Sequence, residues 1–312
     1  HLDPIWQWEW EEGCASAVAT FRCAARFCRE FDNYIFCHNE ALIYRWVEEY
    51  DPALFREIRE LVRLGKWHIM GGWHVQPDCN MPSGEAFVRQ ITEGRRYFRE
   101  KFGVEPTTAI NFDPFGHTRG LVQILAGTGY DSYIFCRPHE GLCHLPAETF
   151  RWVGYDGSSV IAQRSQTGYS TALGNAMKKI RPTTEALTDA APLGFCLWGV
   201  GNHGGGPSRE DIRAINAFME EAKAEGVTVL HSTPEAYFAD VRAEAAAGTR
   251  VLPEHHGDLT AWAQGCYTSQ VLIKQKYRQT ENSLFSAEKA VSHAVLLGLM
   301  EYPEKEFGEA LY

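Results

Sequence analysis

The chain has 312 residues, enough for one large α/β domain or for one such domain and part of a second, which excludes a small disulfide-held module. Apolar residues at 45% against 22% charged supply a sizeable core and exclude a disordered chain. Lys and Arg number 30 against 40 Asp and Glu, a formal net charge of −10, so the surface repels polyanions and nucleic acid is excluded as a partner.

The opening loop carries Trp6, Trp8 and Trp10, and the first helical periodicity spans 15–30. A short apolar strand is predicted over 34–37, then a helix over 51–65 with Pro52 near its start, a strand over 67–70 and a helix over 84–102. Next come a strand over 108–111 and a helix over 119–126, which Gly127 is expected to close in the left-handed conformation. Strands over 132–135 and 159–162, a helix over 173–189, a strand over 195–198, a helix over 209–224 and a strand over 227–230 complete the series. Ser208, followed by Glu210 and Asp211, reads as an N-cap with first-turn carboxylates. This repetition predicts a closed or nearly closed β/α barrel over 1–250 that lacks its first strand, with an open doubly wound sheet as the alternative. Beyond it, 251–312 reads as a linker and the truncated first part of a helical-bundle domain, because Val271 to Leu299 forms one long amphipathic helix.

Nine cysteines, an odd set without a CxxC pair, suggest neither a disulfide framework nor a Cys-rich zinc module, and a reducing cytoplasmic location is expected. No apolar run approaches the roughly 18 residues of a membrane span, so no membrane partner is expected. The chain opens on His1-Leu2-Asp3-Pro4 without an initiator Met, so its start is expected to have been trimmed, and a missing leader carries little weight.

Three stretches can carry chemistry. His1 and Asp3 stand two apart, so in an extended segment they share a face and can ligate one ion, although loop or capping roles fit the same residues. Asn111-Phe112-Asp113-Pro114-Phe115-Gly116-His117-Thr118 follows a strand and precedes a helix. Asp113 there belongs at the carboxyl-end rim, either as a reactive carboxylate or as a turn residue, and Thr118 can cap the next helix. Joined by Asp113, the first pair would make a donor set of one nitrogen and two carboxylates, compatible with zinc and leaving coordination positions open. The third stretch, Trp198 to Pro207, is neither a dinucleotide nor a phosphate loop; its glycines suit a sugar pocket that His203 either lines or merely stabilises. Arg137 can anchor a rim carboxylate, and Trp6 offers a flat face to a sugar. Glu9, Asp78, Glu85, Asp156 and Asp258 remain as acidic residues for proton transfer or for capping.

These stretches resemble glycoside hydrolase family 38, the zinc-dependent retaining α-mannosidases, and in particular its bacterial and cytosolic branch. HLDPIWQW is similar to the family's His-x-Asp-Pro-x-Trp segment, NFDPFGHT to its nucleophile segment, and GVGNHGGGP, GDLTAWAQGCYTSQ and PDCNMPSGEAFVRQ to further segments. The resemblance covers essentially the whole chain and implies a seven-stranded β/α barrel followed by a helical bundle. It implies His1, Asp3 and Asp113 as zinc ligands, Asp113 also as nucleophile, Trp6 beneath the bound mannose and Arg137 against the nucleophile. Asn202 and His203 are implied in substrate binding. Asn202 stands where several relatives have an aspartate and cannot donate a titratable proton, so the acid/base is left unassigned. The family's fourth zinc ligand is a histidine in a His-Asp pair expected beyond residue 312.

The expected activity is therefore hydrolysis of terminal α-mannosides or mannose-containing oligosaccharides, with Asp113 attacking the anomeric carbon and zinc holding O2 and O3. The isolated fragment is expected to be inactive, and the protein can be a homo-oligomer. Two rivals remain open: a metal-dependent carbohydrate deacetylase, which needs no carbon-attacking carboxylate, and a carbohydrate-binding domain without turnover.

Overall fold

The computed structural model describes residues 2, 8–189, 191–201 and 205–311. The chain divides into two compact units, 1–262 and 263–312.

The first unit is mostly helical. Helix α1 (Trp10–Glu30) buries Ala17, Phe21, Ala24 and Cys28, one stripe at helical spacing. Phe21 packs edge-on against Phe36 and Trp67, from the two strands β1 (Phe36–His38) and β2 (Trp67–Ile69), which pair in parallel. Between those strands lie α2 (Ala41–Tyr50) and α3 (Pro52–Arg63), the latter capped by Asp51, whose carboxylate accepts from the Leu54 amide at 3.0 Å. Helix α4 (Gly84–Phe102) starts on a Ser83 cap and ends at Gly103 in the left-handed region, φ 70°.

A mixed sheet forms the second layer, in the order β3 (Thr108–Asn111), β4 (Ser132–Phe135), β6 (Ser159–Arg164), β5 (Thr149–Val153), β7 (Glu254–His255). The pairs β3·β4 and β4·β6 are parallel, with α5 (Leu121–Gly127) crossing between the first two, whereas β5 and β6 form an antiparallel hairpin. Helices α6 (Met177–Glu185), α7 (Arg209–Ala224) and α8 (Pro234–Ala246) follow. In α7 the Ser208 hydroxyl accepts from the Asp211 amide at 3.0 Å. Buried Asp211 accepts in turn from the Gly174 and Ala176 amides, at 3.1 and 2.9 Å, and so ties the start of α6 to α7.

The expected seven-stranded barrel is corrected by this topology. Seven strands do occur among the described residues, but they are split into a two-stranded and a five-stranded sheet, and helices dominate. Two local causes separate the ladders. After β2, Gly71 and Gly72 take positive φ (76° and 79°) and turn the chain away, leaving one backbone hydrogen bond, Gly71 N–H to Thr108 O at 3.2 Å, toward β3. The segments 195–198 and 227–230, expected as strands, run without ladder partners. Gly194 and Gly199 bracket the first of these, where glycine weakens strand formation. Gly127, expected to close its helix in the left-handed region, is instead the last residue of α5, and Gly129 supplies the positive φ, 87°.

The second unit comprises α9 (Gly265–Thr268), α10 (Val271–Leu296) and α11 (Glu304–Leu311). In α10, Glu281 is the buried residue and accepts from Arg278 and from the Tyr277 hydroxyl, one turn before it. No helix among the described residues is long and apolar enough to cross a membrane.

Candidate functional site

The four residues of β3 are all buried, and the loop 73–80 braces its carboxyl end. Trp73 Nε1 donates to Ile110 O at 2.9 Å, Asn111 Nδ2 to Pro77 O at 3.1 Å, and the Phe112 amide to Gln76 Oε1 at 2.8 Å. Asp113 emerges immediately beyond these braces. Gly116 is required by close approach: a Cβ there would stand 2.8 Å from Asn80 Nδ2 and 3.1 Å from Thr260 Cα. His117 then exchanges both backbone hydrogen bonds with Leu259, each 2.9 Å. Thr118 accepts from Gly120 and Leu121 as a turn residue, while Gly120 occupies the cap of α5.

Arg137, two residues beyond β4, sends Nη1 to the Asp113 carbonyl at 2.9 Å and to its carboxylate Oδ1. Both side chains are 24% exposed, so the pair is only partly screened by solvent. Phe115 and Trp262 flank the guanidinium, with ring centroids 5.3 and 4.8 Å from Cζ. Tyr169 adds a second donor to Oδ1, at 3.0 Å, and its ring stacks on Phe112 at 6.0 Å. Both side-chain contacts fall on Oδ1, so among the described residues Oδ2 carries no hydrogen bond. The result is a carboxylate oriented through Oδ1.

The glycine-rich stretch is fixed to Thr171, two residues beyond Tyr169. The Thr171 amide donates to Gly199 O at 2.7 Å, and the Gly201 amide to Thr171 O at 3.3 Å. The Val200 amide donates to Gly206 O at 2.8 Å, and a Cβ at Gly205 would stand 2.0 Å from Val200 O. Gly199–Gly201, Gly205 and Gly206 line a cavity of about 380 Å³ that Phe112 and Tyr169 also border. Thus the two rings stacked beside Asp113 also form part of a concave space of mixed aromatic, aliphatic and polar lining.

Of the residues expected at the site, Asp113 and Arg137 stand in contact, whereas His1, Asp3, Trp6, Asn202 and His203 lie outside the described residues. No group of three or more His, Cys, Asp or Glu side chains among the described residues is arranged to hold a metal ion. The other acidic candidates have structural partners. Asp78 accepts from the Asn80 and Met81 amides, Glu85 pairs with Arg89, Asp156 accepts from Ser158 and Asp258 from the Arg119 amide, while the Glu9 amide donates to Glu12. Tyr169, Phe115 and Trp262 were not singled out from the sequence; no spacing marks Tyr169, and only its stacking on Phe112 brings its hydroxyl to Asp113.

The sequence of an α-mannosidase G from Dictyostelium discoideum is 27% identical over 307 residues, covering 95% of this chain and 27% of that protein. Human alpha-mannosidase 2C1 is 27% identical over 303 residues, covering 95% of this chain and 28% of the other. This chain therefore spans less than a third of the length of these relatives. In three dimensions, an alpha-mannosidase from Enterococcus faecalis V583 superposes with a TM-score of 0.81 at 19% identity, covering 100% of this chain and 36% of that one, a likeness of fold. The profile of the glycosyl hydrolases family 38 N-terminal domain matches residues 1–265, and with most of its length so matched, the chain belongs to glycosyl hydrolase family 38.

Proposed function

We propose that the protein carrying this chain is a retaining α-mannosidase that hydrolyses terminal α-mannosides, with Asp113 as its nucleophile. The observation that supports this best is the state of the Asp113 carboxylate, anchored through Oδ1 by Arg137 and Tyr169, with no hydrogen bond to Oδ2 among the described residues. A carboxylate so held is pre-oriented for attack. Oδ2 attacks the anomeric carbon while the bond to the leaving oxygen breaks, giving a mannosyl ester that water then hydrolyses. Arg137 keeps the carboxylate from rotating as its charge is consumed and restored. Trp6, Asn202 and His203 are assigned to the sugar.

The chemistry of the donors fits a zinc ion. His1, Asp3 and Asp113 would hold it, one imidazole and two carboxylates, a donor set of the kind zinc takes. When bound, zinc would supply a Lewis acid toward the sugar hydroxyls O2 and O3, favouring the axial O2 of mannose.

The test uses the full-length gene product and an aryl α-mannoside. Turnover should fall at least about 1,000-fold in Asp113→Ala, and chelation should remove activity that added zinc restores. Retained turnover in Asp113→Ala would overturn the assignment. Acetate release from an acetylated sugar without glycoside cleavage would point to a deacetylase, and sugar binding without cleavage to a binding domain.

A further inference from the structure

His117 sits four residues beyond Asp113, fully buried, with both ring nitrogens engaged. Nε2 lies 2.8 Å from the carbonyl oxygen of Arg137, which can only accept, so Nε2 carries the proton and donates. Nδ1 is then the acceptor, and the Tyr133 hydroxyl donates to it at 2.7 Å. One tautomer alone satisfies both contacts. Burial pushes the imidazole down to about 4, so the ring stays neutral at ordinary pH and keeps that arrangement. Its main chain is pinned by the two Leu259 hydrogen bonds, and Tyr133, on β4, is itself fully buried. The ring therefore joins two rigid pieces of the molecule, the loop that bears Asp113 and the segment that bears Arg137.

We infer that His117 is a positioning residue: it fixes the Arg137 main chain through Nε2, so that the guanidinium meets Asp113, and Tyr133 selects the tautomer that allows this. The inference rests on the reading of Asp113 as nucleophile. The chain Tyr133 to His117 to Arg137 to Asp113 is continuous, each link a hydrogen bond or the covalent frame of one residue. Orientation of a reacting group by such supporting contacts is where small displacements reduce rate without affecting affinity.

Three variants of the full-length gene product test it: His117→Phe, which fills the space without a donor; His117→Gln, which keeps an N–H near the place of Nε2; and Tyr133→Phe. With an aryl α-mannoside, His117→Phe should lower kcat about 10- to 100-fold with KM within about twofold, and His117→Gln should recover most of the loss. Tyr133→Phe should fall between them. In an Arg137→Ala background, His117→Phe should have less than about a twofold further effect, because its route to Asp113 is already cut. A crystal structure of His117→Gln should keep Arg137 on Asp113, whereas that of Tyr133→Phe should show the guanidinium displaced. Unchanged kcat, a loss confined to KM, an effect that multiplies with Arg137→Ala, or Arg137 unmoved in Tyr133→Phe would overturn the inference. The crystal structures decide it even if the wild type cleaves no α-mannoside, an outcome that would instead defeat the proposed function.

Discussion

Gly94 gives the sharpest test of how the loop that braces β3 is held. It lies in α4, and a Cβ there would stand 2.2 Å from Gly72 O, 2.4 Å from Trp73 C and 2.6 Å from His74 N, all backbone atoms. No side-chain rotation relieves such contacts, so Gly94→Ala must drive α4 and the 72–74 backbone apart by roughly 1 Å to reach van der Waals separation. Overpacking of this kind costs about 1–3 kcal/mol, and replacing glycine inside a helix returns at most about 1 kcal/mol. Because three backbone atoms clash at once, the upper part of that range applies, and a net loss of about 2 kcal/mol is expected. The movement also strains the hydrogen bonds that α4 makes to this loop, His74 N–H to Gln90 O and Val75 N–H to Gln90 Oε1, both 2.9 Å. Trp73 passes the disturbance to Ile110, three residues before Asp113. Gly84→Ala, on the same helix, is the control: its Cβ meets only Ile124 Cδ1 at 3.8 Å, so the change should be neutral or stabilising by up to about 1 kcal/mol. Equilibrium urea denaturation of the two variants beside wild type measures both. A Gly94→Ala midpoint equal to or above that of Gly84→Ala would refute the packing argument.

Two further outcomes are expected. His74 and His117 are both depressed to about 4 by burial, so the unfolded chain binds protons near pH 6.5 that the folded chain refuses until about 4. Stability should be full above pH 6.5 and fall progressively toward pH 4, by about 3 kcal/mol per histidine at the limit; urea midpoints across that window check this, and a flat profile would contradict it. Tyr169→Phe deletes one of the two donors to Asp113 Oδ1 while keeping the ring on Phe112. Loss of a hydrogen bond to a charged group should lower kcat roughly tenfold with little change in KM, measured by steady-state kinetics; unchanged kcat would show that Arg137 alone orients the carboxylate.

The elements readable from sequence were those with local signals. Helix α7 runs from its Ser208 cap with the predicted bounds, α4 is bracketed by Ser83 and Gly103, and β3 and β4 are short apolar runs flanked by turns. Helix α2 lacked such a signal. Its residues Ala41 to Tyr44, Trp46 and Val47 are all buried, and its polar side is confined to Arg45, Glu48 and Glu49. Its first amides, at Ala41 and Leu42, are satisfied by Trp73 O and His74 O, at 3.0 Å each, from a distant loop rather than by a cap in sequence. The β5–β6 hairpin and α8 were not predicted either, although Asp156-Gly157, with Gly157 at φ 83°, and Thr233-Pro234 are local signals for them. The barrel expectation failed because a run such as Phe195 to Trp198 has strand-like composition, while a ladder also needs a neighbour, which is a tertiary fact. At the site, the Asp113 turn could be read from Pro114 and Gly116 and the place of Arg137 from the strand before it. Tyr169 and the His117 ring contacts depend on packing between segments far apart in the chain.

The central claim is that Asp113 forms the bond to the sugar. Incubating the full-length gene product with a fluorinated mannosyl inhibitor and mapping the modified peptide measures this directly. The account predicts one mannosyl group esterified to Asp113; a label on any other residue, or an active enzyme that carries none, would contradict it.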